Sequence, residues 1–398
     1  MVALENNNIS YPHGAFPSVL TCSDTPLPFS ETISYFEQLK IYSQNIKSPI
    51  YGFLTYDLKN ELEEISSKNP DGMGFPPIGF IAPELSISFF DQYVKITAEA
   101  PNETYQNIIK NDYVSETFEL KNKIASRLDR EEYIKRVERI QSHIQRGDIY
   151  ELNFCNEYFS ENADLSPTEV YFKLATLSPM PFAAFVKWND KYLLCASPER
   201  YLKKEGENLV SQPIKGTIRR GQNQQEDEFL KQKLSHSEKE RAENIMIVDL
   251  VRNDFSHTAK DGSVKVEELC KIYTFKQVHQ MISTIVATQS KNFHFVDTLR
   301  HCFPMGSMTG APKLSAMELI EHFETRKRGL FSGSVGYISP EGNFDFNVVI
   351  RSILYNSSTK YLSFQAGSAI TIDAIAEQEW EECEVKIAAI KKALSVND

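Results

Sequence analysis

Hydrophobic and polar residues follow two different periods along this chain. Apolar residues three or four positions apart predict helices at 32–42, 130–146, 167–176, 226–251, 278–288, 296–303, 314–323 and 374–394. Alternating or short apolar runs predict strands at 50–56, 77–82, 85–90, 149–154, 182–187, 192–196, 209–214, 264–275, 331–338, 344–354 and 361–366. Many of the strands follow one another directly, which favours antiparallel pairing over regular strand-helix alternation. We therefore predict an α+β fold of antiparallel β-sheets with surrounding helices.

A polar and charged stretch at 101–128, without a clear strand, separates two parts of the pattern. Residues 1–125 form a predicted N-terminal mixed α/β region, in which no residue pattern indicates chemistry. Residues 126–398 form the second predicted domain, and all candidate functional residues lie there. With 398 residues the chain is long enough for one large core or two smaller ones.

Composition narrows the possible partners. Acidic residues outnumber basic ones by 54 to 43, and the net charge of −11 argues against nucleic acids and anionic membranes as partners. No apolar run is long enough to cross a bilayer, and the first residues lack the features of a signal peptide. The six cysteines have no metal-ligand spacing, so we expect reduced thiols in a cytoplasmic protein.

The stretch 197–217 contains the first candidate for chemistry. A strand at 192–196 runs into the turn Ser197-Pro198, and a second strand is predicted at 209–214. This hairpin would bring Glu199 close to Lys215. Burial could make the acid a proton donor and the amine a nucleophile. An ordinary cross-strand salt bridge is the alternative.

Two helices carry acidic residues with helical spacing. Glu240 and Glu243 lie three positions apart, and so do Glu379 and Glu382. Four carboxylates from two facing helices could bind a hard divalent cation such as Mg²⁺. Acidic pairs of this kind are more often solvated helix faces. The first pair directly precedes an apolar stripe, however, which indicates that this part of the helix enters a core.

Further residues have the properties needed to bind an anion. A glycine-rich loop at 304–313 contains Ser307 and Thr309, although it lacks the ending of a phosphate loop. A small-residue turn is predicted at 365–369, where backbone amides could approach an anion. Arg351 is a candidate clamp for a carboxylate, with a structural ion pair as the alternative. His279 fits a core or cleft histidine better than a catalytic one.

Several motifs, taken together and in order, resemble those of the chorismate-utilising enzymes. The resemblance extends over residues 130–394, and it implies a sandwich of antiparallel sheets like that of anthranilate synthase component I. It also implies that residues 126–398 are a chorismate-binding catalytic domain. The motifs are Gly147-Asp-Ile-Tyr-Glu-Leu-Asn153, Ser197-Pro-Glu-Arg-Tyr201, Pro213-Ile-Lys-Gly-Thr217, the run at 241–254, Gly306-Ser-Met-Thr-Gly-Ala-Pro-Lys313 and Gly333-Ser-Val-Gly-Tyr337.

Within the family, the lysine at position 215 is typical of component I of aminodeoxychorismate synthases, whereas anthranilate synthases typically have alanine. The resemblance implies that Lys215 adds to C2 of chorismate while Glu199 protonates the leaving C4 hydroxyl. Ammonia then attacks C4 and leaves 4-amino-4-deoxychorismate, a precursor of p-aminobenzoate and folate. Anthranilate synthase component I is the enzymatic alternative, and a catalytically silent subunit is the alternative of another class.

The resemblance also assigns the remaining site residues. It implies Mg²⁺ as cofactor, with Glu243 and Glu382 as direct ligands and Glu240 and Glu379 near the ion or bound through water. Ammonia would come from a separate glutamine amidotransferase subunit. The residues expected to contact chorismate are Arg351, Ser307, Thr309, Gly367, Ser368, Tyr337 and His279.

Three positions depart from the family pattern. Glu151 stands where amine-transferring members usually have glutamine and water-adding members have their basic lysine. Gln280 replaces the histidine of anthranilate synthases, which favours a product that keeps its enolpyruvyl group. Ala369 stands at the third position of the glycine-rich turn. The residues themselves give no role for Glu151.

Overall fold

The computed structural model describes residues 1–111, 120 and 123–394, which form two large β-sheets with helices around them. The helices are α1 (Tyr35–Ser43), α2 (Lys59–Leu62), α3 (Pro101–Lys110), α4 (Arg130–Arg146), α5 (Pro167–Leu177), α6 (Gln224–Ser235), α7 (Glu238–Ser256), α8 (Phe295–Cys302), α9 (Lys313–Phe323) and α10 (Ala376–Ala393). Strands β1 to β10 are Val2–Glu5, Val19–Cys22, Ile50–Leu54, Ile78–Ile81, Leu85–Phe89, Val94–Thr97, Ala125–Ser126, Glu151–Ser160, Phe182–Trp188 and Lys191–Ser197. Strands β11 to β20 are Arg200–Glu205, Asn208–Gln212, Ile214–Arg219, Lys265–Thr274, Val278–Thr288, Gly310–Ala311, Ser334–Ile338, Phe344–Asn347, Ser352–Asn356 and Tyr361–Ile370.

Strands from the whole described chain contribute to both sheets. The first sheet has the order β16-β8-β20-β19-β10-β9-β1-β2-β5-β6, and β7 pairs with β8. The second has the order β13-β15-β12-β11-β18-β17-β3-β4, and β14 pairs with β15. The six strands before the predicted boundary at residue 125 therefore extend the same two sheets as the strands after it. The antiparallel α+β architecture predicted from the sequence is confirmed.

The hydrophobic core explains why the two sheets stay together. The largest cluster of buried apolar side chains combines residues of both sheets, and a second cluster lies between the first sheet and helices α4, α5, α9 and α10. Strand β10 shows how one sequence serves both clusters. Leu193 and Cys195 point into the first, whereas Leu194 and Ala196 point into the second. This period of two places a buried layer on each face of the sheet.

Helix α4 has the bounds expected from the sequence. The Asp129 side chain accepts a hydrogen bond from the backbone N–H of Glu132 and caps the first turn. Gly147 ends the helix in the left-handed conformation, with φ of 84°. Tyr133, Val137 and Ile140 are buried along one face, as the spacing of the apolar residues predicts.

The predicted helix at 278–288 is wrong, because this segment is strand β15 near the end of the second sheet. It pairs with β12, β13 and β14. Ile282 belongs to the large core, whereas its neighbour Met281 packs in a small cluster with Leu234 of α6. A strand that is buried on both faces lacks the alternation that distinguishes strands from buried helices.

Other predicted elements are divided differently. The helix predicted at 226–251 is two helices. The first ends at Ser235, and the side chain of Ser237 caps the start of α7. The strand predicted at 344–354 is two strands, since the chain leaves the second sheet after β18 and enters the first with β19. The turn predicted at 365–369 is wrong: these residues lie inside β20, paired with residues 153–157 of β8.

The polar stretch at 101–128 contains more structure than expected. Helix α3 occupies its start, and the two residues of β7 pair with β8. The remainder includes residues 112–119 and 121–122, which lie outside the described residues. Within the part of the chain that is described, no helix is long and apolar enough to cross a membrane.

Candidate active site

Lys215 and Glu151 join the two sheets through a buried ion pair. Lys215 lies in β13 of the second sheet, and Glu151 begins β8 of the first. The Lys215 ammonium donates a hydrogen bond of 2.7 Å to Oε1 of Glu151. The two residues are 8% and 1% exposed. The salt bridge considered as an alternative, between Glu199 and Lys215, is not formed among the described residues, because the partner of Lys215 is Glu151.

Local backbone geometry places Lys215 at this position. The pairing of β13 with β15 shifts between Ile214 and Thr217, so the strand bulges around Lys215. Gly216 has a φ of +89°, a conformation that strongly favours glycine. A Cβ atom there would also lie 3.0 Å from Oε2 of Glu240. The Lys-Gly pair therefore lets the strand approach α7 closely.

The charge state of Lys215 is set by the carboxylates around it. Burial lowers the pKa of the lysine, but the carboxylates of Glu151, Glu243 and Glu199 outweigh this effect. The net pKa of Lys215 therefore lies above its ordinary value. In this structure the lysine is an ammonium ion, and it must lose a proton before it can act as a nucleophile.

Glu199 has the properties of a proton donor at neutral pH. It lies between β10 and β11, where the chain passes from one sheet to the other, and it is 4% exposed. Burial raises the pKa of Glu199 to about 7, although the nearby Ser307 hydroxyl and the Lys215 ammonium oppose the shift. Close to neutral pH, a large share of Glu199 is protonated.

The predicted hairpin needs one correction. The strand that pairs with β12 is β11, with Arg200 opposite Gln212. The predicted strand at 192–196 pairs with β9 and β19 instead. Glu199 directly precedes β11 and Lys215 follows β12 by a short link, so they are neighbours despite the different pairing. Each residue influences the pKa of the other.

The two acidic pairs face one another across α7 and α10, and a lysine lies between them. The Lys239 ammonium is 2.6 Å from Oε1 of Glu379 and 3.9 Å from Oε1 of Glu243. Burial raises the pKa of Glu243 to about 8. Burial and the nearby Glu382 also raise the pKa of Glu240. Two of the four acids therefore hold their protons more tightly than an exposed glutamate does.

Lys386 supplies a second cation beside the acidic pairs. Its ammonium lies 2.6 Å from Oε1 of Glu382, one turn away on α10. Burial raises the pKa of Glu382, but Lys386 outweighs this effect, and the net pKa is below its ordinary value. Lys386 also donates a hydrogen bond of 2.8 Å to the backbone oxygen of Gly367. That contact ties α10 to β20.

The chemistry of this donor set fits a divalent cation. Oε1 of Glu243 and Oε2 of Glu379 are buried and have no hydrogen-bond partner among the described residues. Oxygen atoms of carboxylates are the preferred ligands of Mg²⁺. In the described chain, however, no group of three or more His, Cys, Asp or Glu side chains already stands in a metal-binding arrangement. In this structure the ammonium of Lys239 supplies the positive charge beside Glu243 and Glu379.

Two of the predicted anion-binding side chains are available for a ligand. Arg351 is half-buried in the link between β18 and β19, and within the described residues its guanidinium has no ion pair or hydrogen bond. Burial lowers the pKa of Arg351. The hydroxyl of Ser307 is buried and close enough to Glu199 to lower the pKa of that carboxyl, but it makes no well-formed hydrogen bond within the described residues. Both groups could donate to a carboxylate.

Three other residues that were expected to contact the substrate are already packed against or hydrogen-bonded to the protein. The Thr309 hydroxyl donates to the backbone oxygens of Met305 and Gly306, both at 3.3 Å. The Ser368 hydroxyl lies 3.0 Å from the Tyr133 hydroxyl. Gly367 lies in β20 against β8, where a Cβ atom would come within 2.4 Å of Cys155 Sγ. These residues shape the site, and the hydroxyls of Thr309 and Ser368 are already engaged within the protein.

His279 and Tyr337 are not brought together with the acid and the lysine. The His279 ring lies 3.0 Å from Asp227 of α6 and 2.9 Å from the Thr274 hydroxyl, so both of its nitrogens have partners. Tyr337 lies in β17, where its ring packs at a tilt against Tyr51. Both residues belong to strands of the second sheet, and their side chains contact other residues of the protein.

The structure adds residues that the sequence argument did not assign. Lys239 and Lys386 each stand four positions from an acid of the pairs, a spacing typical of helical ion pairs that could have revealed them. Gln280 is 1% exposed, and neither atom of its amide has a hydrogen-bond partner in the described chain. The sequence marks Glu151 only as a departure from the family pattern. No local signal could have shown its contact with Lys215.

A buried acid with a pKa near neutrality, beside a lysine and a carboxylate-rich helix pair, defines the site of an enzyme for a small anionic substrate. The comparison with known families makes this class specific. The family of chorismate binding enzymes matches residues 13–392, and the chain belongs to that family.

Relatives with two different names are similar to this chain. "Aminodeoxychorismate synthase, chloroplastic" of Arabidopsis thaliana is 41% identical over 268 residues, which are 67% of this chain and 29% of that protein. "Anthranilate synthase component 1" of Aquifex aeolicus is 31% identical over 370 residues, which are 87% of this chain and 74% of that protein. The chain thus spans less than a third of the plant relative.

A solved structure has the same fold. Anthranilate synthase component I from Streptococcus pneumoniae superimposes with a TM-score of 0.82 and 24% sequence identity. The match covers 97% of this chain and 93% of that one. The sandwich expected from the family resemblance is therefore confirmed.

Proposed function

We propose that this member of the family is aminodeoxychorismate synthase component I, which converts chorismate and ammonia into 4-amino-4-deoxychorismate. The observation that carries the proposal is the buried Lys215 beside Glu199, whose pKa of about 7 suits a general acid. An alanine at position 215 would leave space for ammonia itself to reach C2 of chorismate. The lysine fills that space, which favours attack by its own amine.

The proposed reaction uses the two residues in turn. The neutral amine of Lys215 forms a bond to C2, and the C4–O bond breaks as Glu199 donates its proton, which releases water. Ammonia then forms a bond to C4, and the bond between C2 and the lysine nitrogen breaks. The new amino group returns a proton to Glu199. Chorismate and ammonia thereby become 4-amino-4-deoxychorismate and water.

Binding of the substrate involves the available cationic and hydroxyl groups. Arg351 and Ser307 would donate hydrogen bonds to the carboxylates of chorismate. Glu243 and Glu382 would hold Mg²⁺ directly, with Glu240 and Glu379 near it or bound through water. Such an ion would neutralise a substrate carboxylate. The lysines beside the acids would shift toward solvent when the cation binds.

Ammonia would come from a glutamine amidotransferase partner. The name "component 1" of the Aquifex relative implies a second component for that protein. For this chain the partner is a proposal, supported by the need for ammonia in the reaction. Added ammonium salt should replace the partner in a test with the single chain.

The test is to incubate the purified chain with chorismate, Mg²⁺ and excess ammonium salt, with and without an aminodeoxychorismate lyase. We expect chorismate to disappear in both samples and p-aminobenzoate to form only with the lyase. Anthranilate fluorescence without the lyase would contradict the proposal. Failure to consume chorismate would instead support a catalytically silent subunit.

Anthranilate synthase component I is the second candidate. The similarity to the Aquifex protein extends over 87% of this chain, against 67% for the plant protein. Position 215 decides between the two activities in our account, because the candidates differ in whether lysine or ammonia attacks C2. Gln280 supports the first candidate, since anthranilate synthases carry a histidine there.

A further inference from the structure

Lys215 begins the proposed reaction in the wrong protonation state. Its ammonium has no lone pair for attack, and its hydrogen bond in the described chain goes to Glu151. Both residues are nearly inaccessible to water, so solvent is poorly placed to remove the proton. A group within the site must accept it.

The neighbouring charged groups leave one suitable acceptor. Glu199 must keep its own proton for the C4 hydroxyl. Glu243 influences Lys215 only through its charge, and Oε1 of that residue has no hydrogen-bond partner among the described residues. Glu151 alone combines contact with Lys215 and a free oxygen, since its Oε2 is buried without a partner in the described chain. The other charges that act on Lys215 are those of Glu240, Glu382 and Lys386.

We propose that Glu151 is a catalytic residue that accepts the proton of Lys215 and so generates the nucleophilic amine. This role rests on the proposed function and extends it to a residue that departs from the family pattern. The contact lies between the reacting nitrogen and a carboxylate oxygen at 2.7 Å, which is within the range required for direct proton transfer.

The proton balance closes over one cycle. The N–H bond of the ammonium breaks and an O–H bond forms on Oε1 of Glu151, which leaves a neutral amine and a neutral carboxylic acid. Oε2 can then accept an N–H of the amine while its lone pair turns toward C2 of chorismate. When ammonia displaces the lysine, the released amine takes the proton back from Glu151. No further reactant is needed.

Kinetics as a function of pH test this role through Glu151→Gln, which preserves the shape of the side chain but removes the base. In the wild-type protein the proton moves inside the pair, so kcat should be nearly constant from about pH 5.5 to 7. In the variant the proton must leave to solvent, and kcat should rise about tenfold per pH unit over that interval. Parallel profiles would overturn the proposal. Glu205→Gln, at a residue with 74% exposed side chain, is the control.

Two further measurements keep the outcomes distinct. Glu151→Asp retains a carboxylate, and we expect its profile to stay flat even if its rate is lower. NMR titration of the Lys215 amine in ¹⁵N-labelled protein reports its protonation without any turnover and needs no reagent to enter the site. The pKa of Lys215 should be lower in Glu151→Gln than in the wild type, with the 86% exposed side chain of Lys291 as internal reference. An unchanged titration of Lys215 would overturn the pairing, whereas absence of wild-type turnover alone would overturn only the proposed function.

Discussion

Lys239 of α7 connects to Glu379 of α10 through an ion pair of 2.6 Å, and so places an ammonium ion between the two acidic pairs. The same ammonium lies 3.9 Å from Glu243, whose carboxyl has a pKa raised to about 8 by burial. The carboxylates of Glu243 and Glu379 thus already attract a positively charged group between α7 and α10. A bound Mg²⁺ would take over the neutralising role of the lysine.

The first prediction concerns competition between Lys239 and Mg²⁺. Lys239→Met should bind Mg²⁺ about tenfold more tightly, because no ammonium has to be displaced. Without Mg²⁺ the variant should lose about 1 kcal/mol of stability, a modest amount because the lysine side chain is 37% exposed and screened by solvent. Titration calorimetry and thermal unfolding measure both effects. Lys231→Met, whose ion pair is with Glu228 on its own helix, is the control. Equal Mg²⁺ affinity in both variants would contradict the proposed site.

Glu199→Gln should separate catalysis from stability. Loss of the proton donor should lower kcat about 100-fold or more. The wild-type acid is destabilising once ionised, because its pKa rises from 4.5 to about 7 on folding. This penalty is absent below about pH 4.5 and is fully present above about pH 7. The glutamine variant should therefore be about 3 kcal/mol more stable than the wild type at pH 8 but similar at pH 4. Urea unfolding at the two pH values measures this difference, and an equal difference at both would refute the raised pKa.

Lys215→Ala tests the nucleophile together with its partner. We expect aminodeoxychorismate formation to be lost and stability to fall by about 3 kcal/mol, since Glu151 would be left buried without a cation. Adding Glu151→Gln should restore most of the stability but none of the activity. The non-additive stability measures the coupling of the pair. An unchanged yield and rate of product in Lys215→Ala would remove this residue from the mechanism.

Arg351→Met should affect substrate binding more than folding. Charge-assisted hydrogen bonds contribute about 1.5–3 kcal/mol, so KM for chorismate should increase about tenfold to hundredfold. The melting temperature should change little, because the guanidinium has no partner in the described chain. The matched control is Arg200→Met: this arginine is 0% exposed and pairs with Asp345, so its loss should be strongly destabilising. A KM within twofold of the wild-type value would exclude Arg351 from the substrate site.

The sequence predicts an element correctly where the periodicity and the capping residues of that element are visible in its own residues. Helix α4 combines an amphipathic face with a capping Asp129 and a terminal Gly147, and it was located correctly. Strand β15 has no such signal, because its residues are buried toward both sides. The small residues around Gly367 indicated a turn. In the structure, the missing side chain of Gly367 allows β8 to approach β20 closely.

The sequence predicts the site only where its residues lie close together in the sequence, on one helix or one hairpin. The acidic pairs follow from spacing on single helices, the predicted hairpin placed Glu199 near Lys215, and the family resemblance supplied the roles of these two residues. The partner of Lys215 is 64 residues away and in the other sheet, so only the packing of the two sheets reveals it. The same holds for His279, whose contacts with Asp227 and Thr274 depend on the strand that replaced a predicted helix.

The position of the new nitrogen in the product tests the central claim most directly. The wild-type chain should be supplied with chorismate, Mg²⁺ and ¹⁵N-labelled ammonium, and the product examined by NMR without added lyase. Our account predicts ¹⁵N bonded to C4 in a product that retains its enolpyruvyl group. Label at C2, in anthranilate or its precursor, would contradict the assignment of Lys215 as the group that attacks C2.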